Sequence, residues 1–166
     1  AWLAIGQGAC MGPQPSNTLH TTEHANSTLA GRWLARADKH FYTKDDSAAA
    51  FPLYQQACEA GVVRGCVESA LILFYGRRGV VKNVAQAKAL VTEPVIAEMA
   101  TLCSANDMRA CLQLGHTYTE GLGVTKDETQ AVALWRKACN GGEILGCTNL
   151  GVMYANGLGV PKDDTQ

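Results

Sequence analysis

The chain lacks several features that mark whole classes of protein. No apolar run approaches the ~20 residues that a membrane-spanning helix needs. No charge sign dominates, since 14 Lys+Arg against 15 Asp+Glu gives a formal net charge of −1, which excludes a basic nucleic-acid binder. Charged residues reach only 17% while 47% are apolar, which excludes a disordered chain or a solvated acidic tail. The 166 residues are those of one ordinary domain.

Cysteine is abundant, and its spacing is regular. Metal sites usually place paired thiols two to four residues apart, because both must reach one ion. A cysteine at the end of one helix can instead face a cysteine in the first turns of the next helix across an elbow. The spacing therefore favours disulfides over a metal site. Disulfides in turn imply an oxidising compartment, namely a periplasm, a cell surface or the secreted fraction. The pairs, each eight residues apart, are Cys58 with Cys66, Cys103 with Cys111 and Cys139 with Cys147.

The sequence repeats itself with a period of 36 residues. The twenty residues from Cys111, CLQLGHTYTEGLGVTKDETQ, match the twenty from Cys147, CTNLGVMYANGLGVPKDDTQ, at 12 positions. An earlier copy begins at Cys66 and carries an insertion of about eight residues after Leu90, which should lengthen the connection to the next unit. A degenerate copy covers residues 29–61. Such self-similarity is typical of a solenoid of stacked units.

Each unit has the pattern helix, loop, helix. Leu114 and Tyr118 recur at helical spacing, Gly121 and the residues after it end that helix, and an acidic segment begins the next helix. No β-strand is predicted, because no alternating apolar and polar run of useful length occurs. Gly115 and Gly151 mark positions where two helices could approach closely. One helix pair cannot bury its apolar stripe alone, so we expect stacked pairs with a concave surface.

The unit LG-x-x-Y-x-x-GxGV-x-KD resembles the Sel-one-like repeat (SLR) family, which is related to the tetratricopeptide solenoids. The C-x₇-C elbows resemble its disulfide-stitched branch, the Helicobacter-type cysteine-rich proteins. This resemblance implies an all-α fold, a right-handed superhelical solenoid of helix-turn-helix repeats. The predicted parts are an irregular N-terminal extension, 1–28, and units at about 29–61, 62–106, 107–142 and 143–166, the last of them truncated.

The resemblance also implies a function and a binding surface. It implies a non-enzymatic module that binds another protein in its concave groove, as an adaptor or as an inhibitor or immunity protein. The partner would be a secreted toxin or an envelope protein rather than a nucleic acid, and no cofactor or metal is expected. Residues at the groove-lining positions of the family are Leu71, Phe74, Tyr75, His116, Thr119, Glu120, Val152 and Asn156.

The alternative function is an enzyme that acts on β-lactams or cell-wall peptide, because some members of the cysteine-rich branch are assigned penicillin-binding or β-lactamase activity. Serine enzymes of that class need Ser-x-x-Lys, in which the lysine activates the nucleophile one turn away. The sequence contains no such pair. The enzymatic alternative therefore has no visible mechanism.

A zinc site is the third hypothesis. His20, Glu23 and His24 match the string H-x-x-E-H, in which two histidines one helical turn apart bind zinc and the glutamate acts as the base. The surrounding segment is rich in Pro, Ser, Thr and Asn and lacks the apolar periodicity of a buried helix. We therefore expect these residues to lie on the surface.

Cys10 is the unpaired seventh cysteine. It follows a short apolar stretch that weakly resembles the lipid-attachment box of bacterial lipoproteins, although Gln7 occupies a position where an apolar residue is expected. Lipidation, a free thiol, an intermolecular bridge and a bond lost with a missing terminus are the alternatives. Because the chain begins with Ala rather than Met, we expect that residues upstream have been removed. The protein is thus expected to be periplasmic or secreted, with a lipid anchor as its only membrane attachment.

Overall fold

A computed structural model describes residues 29–159, and every regular element in that range is helical. The first helix, α1, covers 29–38 and continues into a π-helical turn, Lys39–Thr43. The predicted extension at 1–28 and the end of the last predicted unit lie outside the described residues. The other helices are α2 (Ser47–Glu59), α3 (Val63–Tyr75), α4 (Val84–Leu90), α5 (Glu93–Ser104), α6 (Met108–Glu120), α7 (Glu128–Asn140) and α8 (Ile144–Asn156).

Three disulfides bridge the elbows between consecutive helices. In each, the first cysteine lies at the end of one helix and the second lies in the first turns of the next, with Cα atoms 4.5 to 4.7 Å apart. Each bridge joins the second helix of one predicted unit to the first helix of the following unit. The predicted pairing is confirmed. The bonded pairs are Cys58–Cys66, Cys103–Cys111 and Cys139–Cys147.

The glycine and aspartate residues of the repeat end and begin the helices as predicted. Gly121 follows α6 with φ of 63°, a left-handed conformation that glycine adopts without steric penalty, and its N–H donates to the carbonyl oxygen of Thr117. Asp127 caps α7 by accepting a hydrogen bond of 2.9 Å from the Gln130 N–H. The short loop between these caps returns the chain antiparallel to α6, so the two helices pack together.

The predicted insertion after Leu90 forms helix rather than loop. The second helix of this unit is broken in two, because α4 ends at Leu90 and a separate helix, α5, begins at Glu93. Pro94 lies in the first turn of α5. N–H groups in the first turn have no acceptor within the helix, so the N–H that proline lacks costs no hydrogen bond there. Val91 at the break is 1% exposed and belongs to the main core. The insertion therefore adds the start of a further helix and one buried apolar side chain, Val91, to the solenoid.

The main core runs from α3 to α8, and a smaller cluster packs α1 and α2 together. Trp135 of α7 is buried in the main core, and its Nε1–H donates a hydrogen bond of 3.0 Å to the carbonyl oxygen of Leu112. In the smaller cluster Tyr54 of α2 is fully buried with Ile72 of α3. Since α3 contributes to both clusters, it connects the first helices to the rest of the solenoid.

One of the two predicted close helix approaches is found. A Cβ atom on Gly115 would collide with the indole of Trp135, so only glycine allows α6 and α7 to pack this closely. Gly151, at the matching position of α8, has no atom of the described chain within 4 Å of such a Cβ. The helix that would pack on α8 as α7 packs on α6 is not among the described residues, so the expectation for Gly151 stays a prediction.

Candidate functional site

A cleft of about 410 Å³ lies where the first helices of successive units come together. It is lined by the π-helical turn, by α3, α6 and α8, and by two loop residues. Because these helices hold equivalent positions of the repeat, residues 45 apart on α3 and α6 face each other across the cleft. The lining residues are Phe41, Tyr42, Asp45, Glu68, Leu71, Tyr75, Arg77, Leu112, Gln113, His116, Leu145 and Asn149.

A buried carboxylate and a buried amide lie together in this cleft. Glu68 is 4% exposed and Gln113 is 2% exposed. Gln113 Nε2 donates a hydrogen bond of 2.7 Å to Glu68 Oε1, and the hydroxyl of Tyr42 donates another of 3.0 Å to the same oxygen. Burial raises the pKa of Glu68, although Arg64 and the two hydrogen bonds oppose the shift. The cleft thus contains an acid whose charge is only partly compensated.

An ion-pair network joins the helices beside the cleft. Asp38 of α1 accepts hydrogen bonds of 2.6 Å from Arg64, 3.2 Å from Arg109 and 2.8 Å from the Tyr54 hydroxyl. Arg109 also lies 3.9 Å from the carboxylate of Glu143. The two arginines are therefore engaged mainly by Asp38, and the network fixes α1, α3 and α6 relative to one another.

Aromatic rings form part of the wall. The guanidinium of Arg77 lies over the rings of Phe41 and Tyr75, 5.0 and 5.6 Å from their centroids. The Tyr75 hydroxyl donates a hydrogen bond of 2.6 Å to Glu120 Oε1, across the boundary between α3 and α6. Burial and the Glu120 carboxylate raise the pKa of the Tyr75 phenol, which keeps it protonated as a donor. This wall is consequently held in one conformation by side chains of two units.

His116 separates the cleft from a neighbouring depression. Burial, and to a lesser extent the positive charge of Arg77, lowers the pKa of His116 from its ordinary 6.5 to about 4. Its ring packs edge-on against Trp135, and its Nε2 lies 3.2 Å from Asn149 Nδ2. The neutral imidazole can accept a hydrogen bond from that amide. His116 is thus a neutral polar group of the cleft at pH 7.

We predict that acid destabilises the fold through His116. Well above pH 6.5 the imidazole is neutral in the folded and in the unfolded protein, so it does not change the free energy of unfolding. As the pH falls from 6.5 to 4, His116 binds a proton in the unfolded protein but not in the folded one. The free energy of unfolding should fall by about 3 kcal/mol over this interval. Urea unfolding of the wild type and of His116→Gln at pH 7 and pH 4 measures this loss. The same pH dependence in both proteins would contradict the prediction.

The family model of the Sel1 repeat matches residues 41–62, 64–91, 109–143 and 144–166, which together exceed half of the chain. The chain belongs to the Sel1 repeat family. Sel1 repeats are generally modules for protein–protein interaction rather than enzymes. The predicted family and the predicted all-α solenoid are confirmed.

The solved structures similar to this Sel1 repeat chain include three bacterial proteins, and no curated protein matches it. The first is a protective antigen of uropathogenic Escherichia coli with an SLR fold, at 24% identity and a TM-score of 0.48, where the match covers 90% of this chain and 31% of that chain. The second is a Sel1 repeat protein from Oxalobacter formigenes, at 22% identity and a TM-score of 0.45, with 89% of this chain and 56% of that chain covered. The third is cysteine-rich protein B of Helicobacter pylori, at 23% identity and a TM-score of 0.41, with 81% of this chain and 98% of that chain covered. The chain thus spans about a third of the length of the Escherichia coli antigen and about half of the Oxalobacter protein.

Five of the eight residues predicted for the groove of this Sel1 repeat chain lie close together. Leu71, Tyr75 and His116 line the cleft. Thr119 and Glu120 line the neighbouring depression of about 280 Å³, which Tyr75 and His116 share. The structure thus brings together the predicted residues of α6 and most of those of α3.

The other three predicted groove residues lie outside the cleft. Phe74 packs against the main core, with the ammonium of Lys82 lying 5.5 Å from its ring centroid. Val152 is 52% exposed on α8, and Asn156 is exposed and donates to the carbonyl oxygen of Val152. A step of one residue turns a side chain by about 100° around a helix, so Phe74 and Tyr75 point in different directions.

Glu68, Gln113 and Tyr42 were not predicted to belong to the site. The signal that could have found two of them is the register of the Sel1 repeat, because Glu68 and Gln113 occupy the same position of successive units, 45 residues apart. A charged residue and an amide at a helix position that faces a neighbouring unit are uncommon unless they are bonded to each other. Tyr42 could not be found in this way, because the first unit is degenerate.

Several other expectations concern metals, membranes and the termini. Between residues 29 and 159 no group of three metal-ligating side chains is present, and no helix there is long and apolar enough to cross a membrane. Cys10 and the string His20, Glu23 and His24 lie outside the described residues. The three disulfides indicate an oxidising compartment for this Sel1 repeat chain.

Proposed function

We propose that this Sel1 repeat chain is a non-enzymatic binding module that holds a partner protein in the cleft formed by α3, α6 and α8. The observation that carries the proposal is the composition of the cleft, in which aromatic and aliphatic walls surround a few buried polar groups. Aromatic and arginine side chains dominate the binding energy of many interfaces. Tyr75 and Leu145 are each 42% exposed there and can contact a partner.

The cleft favours binding over catalysis. None of the residues that line the cleft is a serine, threonine or cysteine. Thr119 lines the neighbouring depression that His116 shares, but its hydroxyl donates to the backbone carbonyl oxygens of Gly115 and His116. That histidine contacts Asn149 and Trp135 rather than a nucleophile. The β-lactam and cell-wall hydrolase alternative has no comparable observation in its support.

The proposal includes a location and a role. We place the protein in a periplasm or in the secreted fraction, as an adaptor or as an inhibitor or immunity protein, with Cys10 as the candidate for a lipid anchor. The disulfides support an oxidising compartment. The division into units at about residues 61, 106 and 142 is part of the same proposal, since each division coincides with an elbow between two bridged helices.

Two adjacent residues of α8 provide a matched test. Leu145 lines the cleft, whereas its neighbour Ile144 is 77% exposed and does not line it. A long charged side chain at Leu145 would fill the cleft, so we expect Leu145→Arg to abolish capture of a partner from a native extract, while Ile144→Arg leaves capture intact. The readout is affinity purification on the immobilised oxidised protein, followed by mass spectrometry.

The control for folding is the thermal unfolding midpoint of both variants, which should remain close to that of the wild type because both positions are exposed. Equal loss of a partner in the two variants would show that the cleft is not the binding surface. Capture that persists in Leu145→Arg would contradict the proposal in the same way.

A further inference from the structure

Two acceptor oxygens of the buried polar pair in the cleft have no donor within the described chain. Gln113 Oε1 is buried, and no residue between 29 and 159 donates a hydrogen bond to it. Both described hydrogen bonds to Glu68 go to Oε1, which leaves Oε2 without a donor from the same range. Buried acceptors without partners destabilise a fold, and most are satisfied in native proteins. The buried Gln113 Oε1 atom therefore points to a ligand that supplies an N–H or O–H group, and the Glu68 Oε2 atom beside it can accept from the same ligand.

The orientation of the amide supports this interpretation. An ionised carboxylate can only accept, and the Oε1 atom of Glu68 receives one N–H from Gln113 and one O–H from Tyr42. This arrangement turns the Nε2 atom of Gln113 toward the carboxylate and its Oε1 atom away from it. The groups left for a ligand are thus two acceptors rather than an acceptor and a donor.

The charge of the site favours a cationic donor. Arg64, whose positive charge acts on Glu68, pairs with Asp38, and so does Arg109. The raised pKa of Glu68 agrees with a carboxylate that the chain compensates only partly. Of the charged residues that line the cleft, Asp45 and Glu68 are negative and Arg77 is positive, while His116 is neutral. Asp45 pairs with Arg78 at 3.0 Å, which leaves Glu68 as the carboxylate of the lining that has no ion pair within residues 29–159.

The walls suit the stem of a long basic side chain. Leu71, Leu112 and Leu145 provide aliphatic surface next to the polar pair, and lysine and arginine bury their methylene groups against such surface. The wall already accepts a guanidinium, since that of Arg77 lies over Phe41 and Tyr75. A cleft of about 410 Å³ has room for one further side chain of this size.

We infer that the cleft recognises a basic side chain of the partner protein, whose guanidinium or ammonium group donates to Glu68 and Gln113. This inference rests on the proposed function and specifies the chemistry that the cleft selects. Charge-assisted hydrogen bonds to a buried carboxylate are stronger than neutral ones and depend on geometry, so they provide specificity.

The test uses the full oxidised chain and four capped pentapeptides, Ac-Gly-Gly-Xaa-Gly-Gly-NH₂, in which Xaa is arginine, lysine, citrulline or norleucine. Citrulline has nearly the shape of arginine but no charge, and norleucine retains only the apolar stem. Titration followed by two-dimensional NMR should show that the arginine or the lysine peptide shifts the amide signals of Glu68 and Gln113. We expect the citrulline and norleucine peptides to bind at least tenfold more weakly. The comparison of arginine with lysine identifies which cation the cleft prefers.

A matched pair of variants tests the carboxylate. Glu68→Gln keeps the size and an acceptor oxygen for Gln113 but removes the charge, and we expect it to weaken binding of the preferred basic peptide about tenfold. Glu98→Gln makes the same change at an exposed position of α5 outside the cleft and should leave the affinity unchanged. If Glu68→Gln does not fold, the affinities of the four peptides for the wild type still show whether the cleft selects a positively charged side chain.

Three outcomes would overturn the inference: a citrulline or norleucine peptide that binds as tightly as the preferred basic peptide, shifts confined to residues outside the cleft, or no binding of either basic peptide at millimolar concentration. None of them would disprove the proposed function, which depends on the difference in capture between Leu145→Arg and Ile144→Arg. Conversely, the basic peptide could bind in the cleft while the Leu145→Arg and Ile144→Arg variants capture a partner equally well. That combination would show a cation-binding cleft without a demonstrated protein partner.

Discussion

Reducing the three disulfides should lower the melting temperature by roughly 15 to 30 °C. Each bridge closes a loop of nine residues, and the loss of chain entropy in the unfolded state is worth about 2.5 kcal/mol for a loop of this length. Together the bridges contribute about 7 to 8 kcal/mol. For a domain of this size each kcal/mol corresponds to about 2 to 4 °C. Since net stabilities are commonly 5 to 15 kcal/mol, the reduced chain should be close to unfolding at 37 °C.

The measurement is a thermal melt followed by circular dichroism. Cys66, Cys103 and Cys111 are buried, so the bridges should be reduced in denaturant and the protein refolded in dithiothreitol, with alkylation and mass measurement to count the free thiols. Oxidised dithiothreitol, which leaves the bridges intact, is the control. An unchanged melting temperature in fully reduced protein would show that the bridges do not stabilise the fold.

A methyl group at Gly123 should destabilise the protein by about 3 kcal/mol. Gly123 has φ of 69°, where a residue with a side chain is strained by about 1 to 2 kcal/mol. A Cβ atom there would also collide with the carbonyl oxygen of Val91, which is backbone at the break between α4 and α5 and cannot rotate away. Overpacking of this kind typically adds about 1 to 3 kcal/mol. Urea unfolding of Gly123→Ala measures the loss.

Gly142→Ala is the matched control for this prediction. Gly142 also has positive φ, of 92°, but no atom lies within 4 Å of its ideal Cβ position. Its substitution should therefore produce only the backbone strain, about 1 to 2 kcal/mol. If both variants lose the same stability, Gly123 does not approach the Val91 carbonyl as closely as the structure indicates.

Much of the fold could be predicted from the sequence because it is encoded locally. The cysteine spacing of eight, the glycine that ends a helix and the aspartate that begins the next all act over a few residues of the chain, as at Gly121 and Asp127. The break between α4 and α5 could not be predicted in this way. Residues after Leu90 show that an insertion is present, but whether it forms loop or helix depends on the core that covers Val91.

The site was less predictable, since it depends on contacts between distant parts of the chain. The register of the repeat indicated which helix lines the cleft but not which face of it, and an error of one residue separates Tyr75 in the cleft from Phe74 against the core. Glu68 would be an unfavourable buried charge without Gln113, 45 residues away. Pairing of this kind becomes visible only when the units are stacked.

The position of the bridges also determines how the solenoid comes apart. In a repeat protein, unfolding can begin at either end and proceed unit by unit, because each unit contacts only its neighbours. Here every bridge crosses a boundary between two predicted units, so opening one unit pulls on the first helix of the next. The oxidised chain should consequently unfold as a single cooperative block, whereas the reduced chain can fray from its ends.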